Sequence, residues 1–204
     1  SLDTPGVLSN LVPPLAPAKL PEPVPPIVVQ PPETPAVLIR RFYETNGGEE
    51  VFGKSVSAVF EEQDTEGRRV PVQYYEYARL ECQPVADTSY EVAIGKVGLE
   101  LEMRGRPVDI LPLALHGQQV QLEGSEFAVP SVFYEAWQTG GPDLFGYPAS
   151  PVLLDMSSAG LPIYVQYFER ARLEYHPQNA GTGYEVQLTP VGLELYRSRY
   201  GVIS

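Results

Sequence analysis

Apolar and polar residues follow two grammars along this chain. Over residues 36–45, Leu38 and Phe42 fall on one face of a helix. Pro35 suits its first turn and Thr34 its cap. Gly47-Gly48 suits its end, since glycine takes the left-handed position after a last turn without strain. The same order returns over 130–138, where Pro130 opens, Val132 and Trp137 supply the stripe and Gly140-Gly141 close. A Phe-Gly turn follows each helix, at Phe52-Gly53 and Phe145-Gly146. Beyond it the pattern predicts strands over 58–63, 70–75 and 90–94, matched by 152–155, 163–168 and 184–188. Turns are predicted at 64–67 and 157–160. The alternation changes phase at 76–78 and 169–171, which favours a tight turn there over one continuous strand. Residues 97–101 and 191–196 read either as a sheet edge or as a short helical turn.

These parallels extend to identity. Residues 73–84 and 166–177 agree at eight of twelve positions, and residues 90–101 and 184–195 at another eight of twelve. Ordinary composition would give roughly one or two matches in such a span. The chain is thus read as a repeat module over 36–103, a connector over 104–130 and a second module over 131–204. Two short strands, 108–111 and 119–122, are expected in the connector, punctuated by Pro107, Pro112, Gly117 and Gly124. The predicted fold class is α+β, each module a short helix on a small antiparallel sheet. A module of this size buries too little apolar surface to stand comfortably alone, so a pseudo-twofold pair is expected.

Residues 1–35 obey neither grammar. They hold eleven prolines and only Asp3, Lys19, Glu22 and Glu33 as charged residues. Proline fixes φ and lacks an amide donor, so an extended, polyproline-like arm is predicted. Apolar clusters interrupt it, with Leu11-Val12 and Ile27-Val28-Val29 the most prominent. A solvated linker has no use for them, and they read as anchors for assembly, docking in cis or in trans.

Composition narrows the function. The net charge of −12 disfavours a phosphate-backbone partner. No run approaches the roughly 18 apolar residues of a membrane-spanning helix, and no secretory signal is visible. Cys82 is the single cysteine, which excludes an intrachain disulfide and reads as a small strand hydrophobe.

The motif carried by Phe145, Gly146, Pro148, Ser150, Gln166, Phe168, Glu169 and the strand after them resembles a repeat of secreted proteins of green non-sulfur bacteria. It is also similar to the LGFP repeats of cell-wall proteins. Lys54 is set against Pro148 and Tyr77 against Arg170, so the first module is the more degenerate. The resemblance covers about two-thirds of the chain and implies an extracellular or cell-surface setting; it supplies no catalytic residue.

A search for chemistry returns little. His116 and His176 are the only histidines, and no G-x-S-x-G elbow, phosphate loop or zinc-ligand cluster occurs. The repeated carboxylates Glu76/Glu169 and Glu81/Glu174 come with the repeated Arg79/Arg172, so cross-strand ion pairing is simpler than glycosidase chemistry. No cofactor, no metal and no catalytic activity are expected. Gln73, Tyr75 and Arg79, with Gln166, Phe168 and Arg172, are candidates for an exposed ligand face. The expectation is a non-catalytic structural or assembly protein whose partner is another copy of itself or another envelope protein. The alternative is a module that binds cell-wall polysaccharide.

Overall fold

The tight turns predicted from the phase change organise both sheets of the computed structural model, which describes residues 33–64, 66–86 and 89–201. Residues 1–32 of the N-terminal arm, with Leu11, Val12, Ile27, Val28 and Val29, lie outside the described residues. Pro35 belongs to helix α1 (Pro35–Thr45), which ends at Asn46, and Gly47 and Gly48 carry positive φ. A second short helix, α2 (Gly48–Phe52), follows at once. Four strands then form an antiparallel meander: β1 (Phe60–Gln63), β2 (Arg69–Tyr74), β3 (Arg79–Ala86) and β4 (Ser89–Ile94). Between β2 and β3, Tyr75 N–H donates to Ala78 O at 2.8 Å, which closes the turn. Residues 97–101 resolve to the helical alternative, as α3 (Val97–Glu100).

The connector differs from expectation. Residues 108–111 form no strand; they are bracketed by Pro107 and Pro112, neither of which can donate a ladder bond, and Ile110 is 80% exposed. Strand β5 (Arg106–Pro107) instead pairs with the second sheet. A short helix, α4 (Leu113–His116), buries Leu115. Of residues 119–122 only β6 (Gln119–Val120) is a strand, paired with β7 (Val129–Pro130).

Helix α5 (Ser131–Leu144) breaks at Gly141, where φ is 58°, so a further turn follows the glycine as α2 follows Gly47-Gly48. The second sheet has the order β11-β10-β9-β8-β5, from β8 (Leu153–Met156), β9 (Pro162–Tyr167), β10 (Arg172–Tyr175) and β11 (Val186–Leu188). Phe168 N–H donates to Ala171 O at 2.8 Å across its tight turn. Strand β11 starts later than predicted because Pro177–Asn179 form a 3₁₀ turn and the loop leaves Tyr184 exposed. Residues 191–196 belong to helix α6 (Val191–Tyr200).

Matched residues adopt matched bonds. Ser57 Oγ and Ser150 Oγ each accept the N–H of the tyrosine that ends the second strand, Tyr74 and Tyr167, at 3.0 Å. Gly53 and Gly146 both sit at φ +74°, where a Cβ would meet that of Glu76 or Glu169. Isolated bridges pair Ser55 with Tyr75 and Pro148 with Phe168. Ser55, not Lys54, therefore stands where Pro148 stands.

Strand alternation gives each sheet two apolar faces. In the first sheet, Tyr75, Leu80 and Cys82 face Ile39 and Phe52 of α1 and α2. Val70, Val72 and Tyr74 face Val97 of α3 and Val191 and Leu195 of α6. In the second, Phe168, Leu173 and Tyr175 cluster with Phe133 of α5 and Leu115 of α4. Leu153, Ile163, Val165 and Tyr167 receive Leu101. Helix α6 thus lies over the first sheet, and Leu101, just after α3, packs against the clusters of both sheets.

Candidate functional site

The tight turn before β3 sets what lies between the first sheet and α3 and α6. With Leu80 and Cys82 turned toward α1, alternation turns Arg79 and Glu81 toward the opposite face, beside Tyr74. Arg79 is 2% exposed. Its guanidinium takes Glu81 through Nε and Nη2 at 2.9 and 2.6 Å, and Glu100 through Nη1 and Nη2 at 2.9 and 2.6 Å. Glu62 lies 3.1 Å away. Arg199 arrives from α6 to bond Glu62 at 3.0 Å and Glu100 at 2.6 Å. Tyr74 Oη donates to Glu62 at 2.9 Å and accepts from both arginines at 3.2 Å. The Tyr200 hydroxyl also bonds Glu62. Three carboxylates against two guanidiniums leave one negative charge in excess, which these hydroxyl donors and the Gln83 amide on Glu81 spread out.

The electrostatic consequences are specific. Burial pushes the Tyr74 hydroxyl up to about 12, against the pull of Arg79, so it remains a donor. Burial would also raise Glu100, but the hydrogen bonds and charges of Arg79 and Arg199 outweigh it and hold the carboxyl below its ordinary range. Burial would lower Arg79, but its bonds to Glu100 and the charge of Glu81 reverse that shift and keep it cationic. The bonds of Arg199 to Glu62, Glu100 and Tyr74 tie α6 to the first sheet and α3.

The matched cluster in the second half is looser. Arg172 reaches Asp155 at 3.0 Å, Glu174 at 3.4 Å and Glu194 at 4.0 Å. Its Nε has no partner among the described residues. Glu174 is drawn away by Thr189 Oγ1 at 2.7 Å and His176 Nε2 at 2.9 Å. Gly95 holds the place in the first half that Thr189 holds in the second, each donating its N–H to the matched arginine's carbonyl, and a Cβ at Gly95 would collide with Glu81 Oε1. Glycine at 95 is what lets Arg79 and Glu81 close.

The surface offers a groove of about 610 Å³ with Phe42, Val51 and Phe52 on one side, Val92 and Ile94 of β4 on another, and Leu144 and Arg170 beyond. It runs on into a second hollow of about 360 Å³ beside Leu38, Arg41 and Tyr90. Strand β4 ends the first sheet. Gly95 N–H bonds Arg79 O, so by antiparallel alternation Tyr90, Val92 and Ile94 turn their main-chain groups outward. Arg170 Nε takes Ile94 O at 3.0 Å; among the described residues no other side chain bonds this edge.

The expected ligand face is not a face. Tyr75, Arg79, Gln166, Phe168 and Arg172 are buried, and Gln73 is half-buried. The reason is that both sheets are covered on both sides, so neither side of the strands is left for a ligand. Gln73 and Gln166 are bracing groups: their Nε2 atoms donate to Ser57 O at 2.9 Å and Ser150 O at 3.0 Å. Tyr75 Oη donates to Gln73 Oε1 at 2.9 Å, whereas Phe168 has no hydroxyl and Gln166 Oε1 has no partner among the described residues. Sequence reasoning found Arg79 and Glu81 but missed Glu62, Arg199 and Tyr200; only the repetition of Glu100 at Glu194 hinted at the rest. Among the described residues no group of three or more His, Cys, Asp or Glu side chains is arranged to hold a metal ion, and no helix is long and apolar enough to cross a membrane.

No family model, no curated protein and no solved structure matches the chain.

Proposed function

We propose that the two halves are copies of one module and that the chain is a non-catalytic structural protein of the cell surface, assembling with neighbouring copies through its N-terminal arm. The observation that carries this reading is the outward edge of β4 above an apolar groove. An unpaired edge is a template for one more strand. Ile27-Val28-Val29, bounded by Pro26 and Pro31, has the length and character of such a strand, and the prolines limit it to a few ladder bonds. Head-to-tail donation of this kind makes a filament when the rotation does not close. The extracellular setting rests on the resemblance of the repeat alone.

Light scattering and electron microscopy of the full chain, beside a chain lacking residues 1–32, test the reading. Concentration-dependent assemblies that vanish on deletion are expected. A full chain that stays monomeric at high concentration, with stability unchanged by deletion, overturns it. The polysaccharide-binding alternative has lost the exposed face that motivated it.

A further inference from the structure

We propose that this chain exchanges halves with a second copy of itself, opening at residues 102–105. The inference goes beyond arm docking and uses no residue of the arm. Its basis is the reciprocity of the interface between the halves. Gly98 N–H of α3 donates to Glu169 O in the second half at 3.0 Å, and Leu193 N–H of α6 donates to Glu76 O in the first half at 3.1 Å. Both acceptors sit in the tight turn of the opposite sheet. Gly98 lies against Phe168 O and Ala171 O, and Gly192 against Tyr75 O and Ala78 O, so closely that a Cβ at either position would collide with main chain.

Neither half is complete without the other. Val70, Val72 and Tyr74 are closed over by Val191 and Leu195, and the second sheet takes Leu101. A half parted from its partner exposes apolar surface that a half of identical sequence on another chain fits equally well. The exchanged pair keeps every bond of this interface and changes only the route of the link. That link is short. Leu101 still packs between the sheets, β5 begins at Arg106, and residues 102–105 between them are exposed. Their recorded ties to the second half are few: Arg104 N–H to Tyr167 Oη at 2.9 Å, Arg104 to Glu194 at 2.7 Å, and the close approach of Gly105 to Leu153. A short link between halves that cannot stand alone is the setting in which exchange costs least.

Two full-length variants, Gly98→Val and Gly192→Val, carry different tags in the test. Each alone spoils one contact in its own interface. In an exchanged hetero-pair, one interface receives both native glycines and the other both valines. Native mass spectrometry is expected to find at least about tenfold more hetero-pair after joint unfolding and refolding than after mixing folded proteins, because exchange requires the halves to part. Equal amounts by both routes, as arm docking alone would give, overturn the proposal, as does no hetero-pair. Should the valine variants not fold, a chain lacking residues 102–105 decides. A folded two-chain species supports exchange; a folded single chain, or a chain that does not fold even at high concentration, overturns it.

Discussion

Arg79 and Arg172 occupy matched places after matched turns, each over the ring of a matched tyrosine, at 5.6 Å for Tyr74 and 5.4 Å for Tyr167. Their surroundings part company within one side-chain length. Arg79 is gripped by Glu81 and Glu100, and its cluster is closed by Arg199 from the far half. Arg172 meets the shorter Asp155 and loses part of Glu174 to Thr189 and His176. The same arginine on the same strand is therefore a strongly held cation in one half and a partly satisfied one in the other. What decides is residue 95 against residue 189, a glycine that makes room or a threonine that competes.

The sharpest way to break this comparison is to remove each guanidinium. Arg79→Met leaves buried Glu81 without its cation and Glu62 and Glu100 with Arg199 alone, and is expected to cost about 3–5 kcal/mol in urea unfolding, as breaking a buried ion pair does. Arg172→Met abandons a weaker set and should cost about 1–2 kcal/mol. Equal losses would remove the distinction between the halves.

Acid probes the same cluster next. The folded pKa of Glu100 lies below its ordinary 4.5, so its stabilisation is fully present above that value and is lost as pH falls through the depressed one. Glu169, lowered by Lys96 and the Tyr147 N–H despite its own burial, adds with the same sign. Thermal midpoints measured downward from about pH 6 should decline below about pH 4.5. Glu100→Gln should start lower and decline less; an unchanged slope would show that Glu100 is not held by the cluster.

The smallest effect concerns the glutamines. Tyr75→Phe leaves Gln73 Oε1 without its hydroxyl donor and should cost about 0.5–1.5 kcal/mol. Phe168→Tyr offers a hydroxyl to the orphaned Gln166 Oε1 and should gain up to about 1 kcal/mol. A loss on Phe168→Tyr would mean that the second core has no space for the oxygen.

Much of this was written locally. The phase change at 76–78 and 169–171 announced both tight turns, because a strand that switches its buried parity must fold back. Proline and glycine placed the starts of α1 and α5 and the break after each. Period-two runs marked β2 and β9 to within a residue, since Val70, Val72 and Tyr74, like Ile163, Val165 and Tyr167, put every second side chain into one apolar cluster. The connector was less legible: 108–111 has the apolar content of a strand, but the prolines at either end cannot donate ladder bonds, and Ile110 is left exposed.

The sequence by itself determined most of the local elements and the α+β class, which depend on residues a few positions apart; it pointed to Arg79 and Glu81 as an ion pair but expected the pairing across strands, whereas both sit on β3. Only the tertiary structure decided that both faces of each sheet are covered, which turned a candidate ligand surface into core. It also decided that Arg199, far along the chain, completes the cluster around Glu62 and Glu100. No local period encodes such a meeting, because it follows from where one half comes to rest against the other.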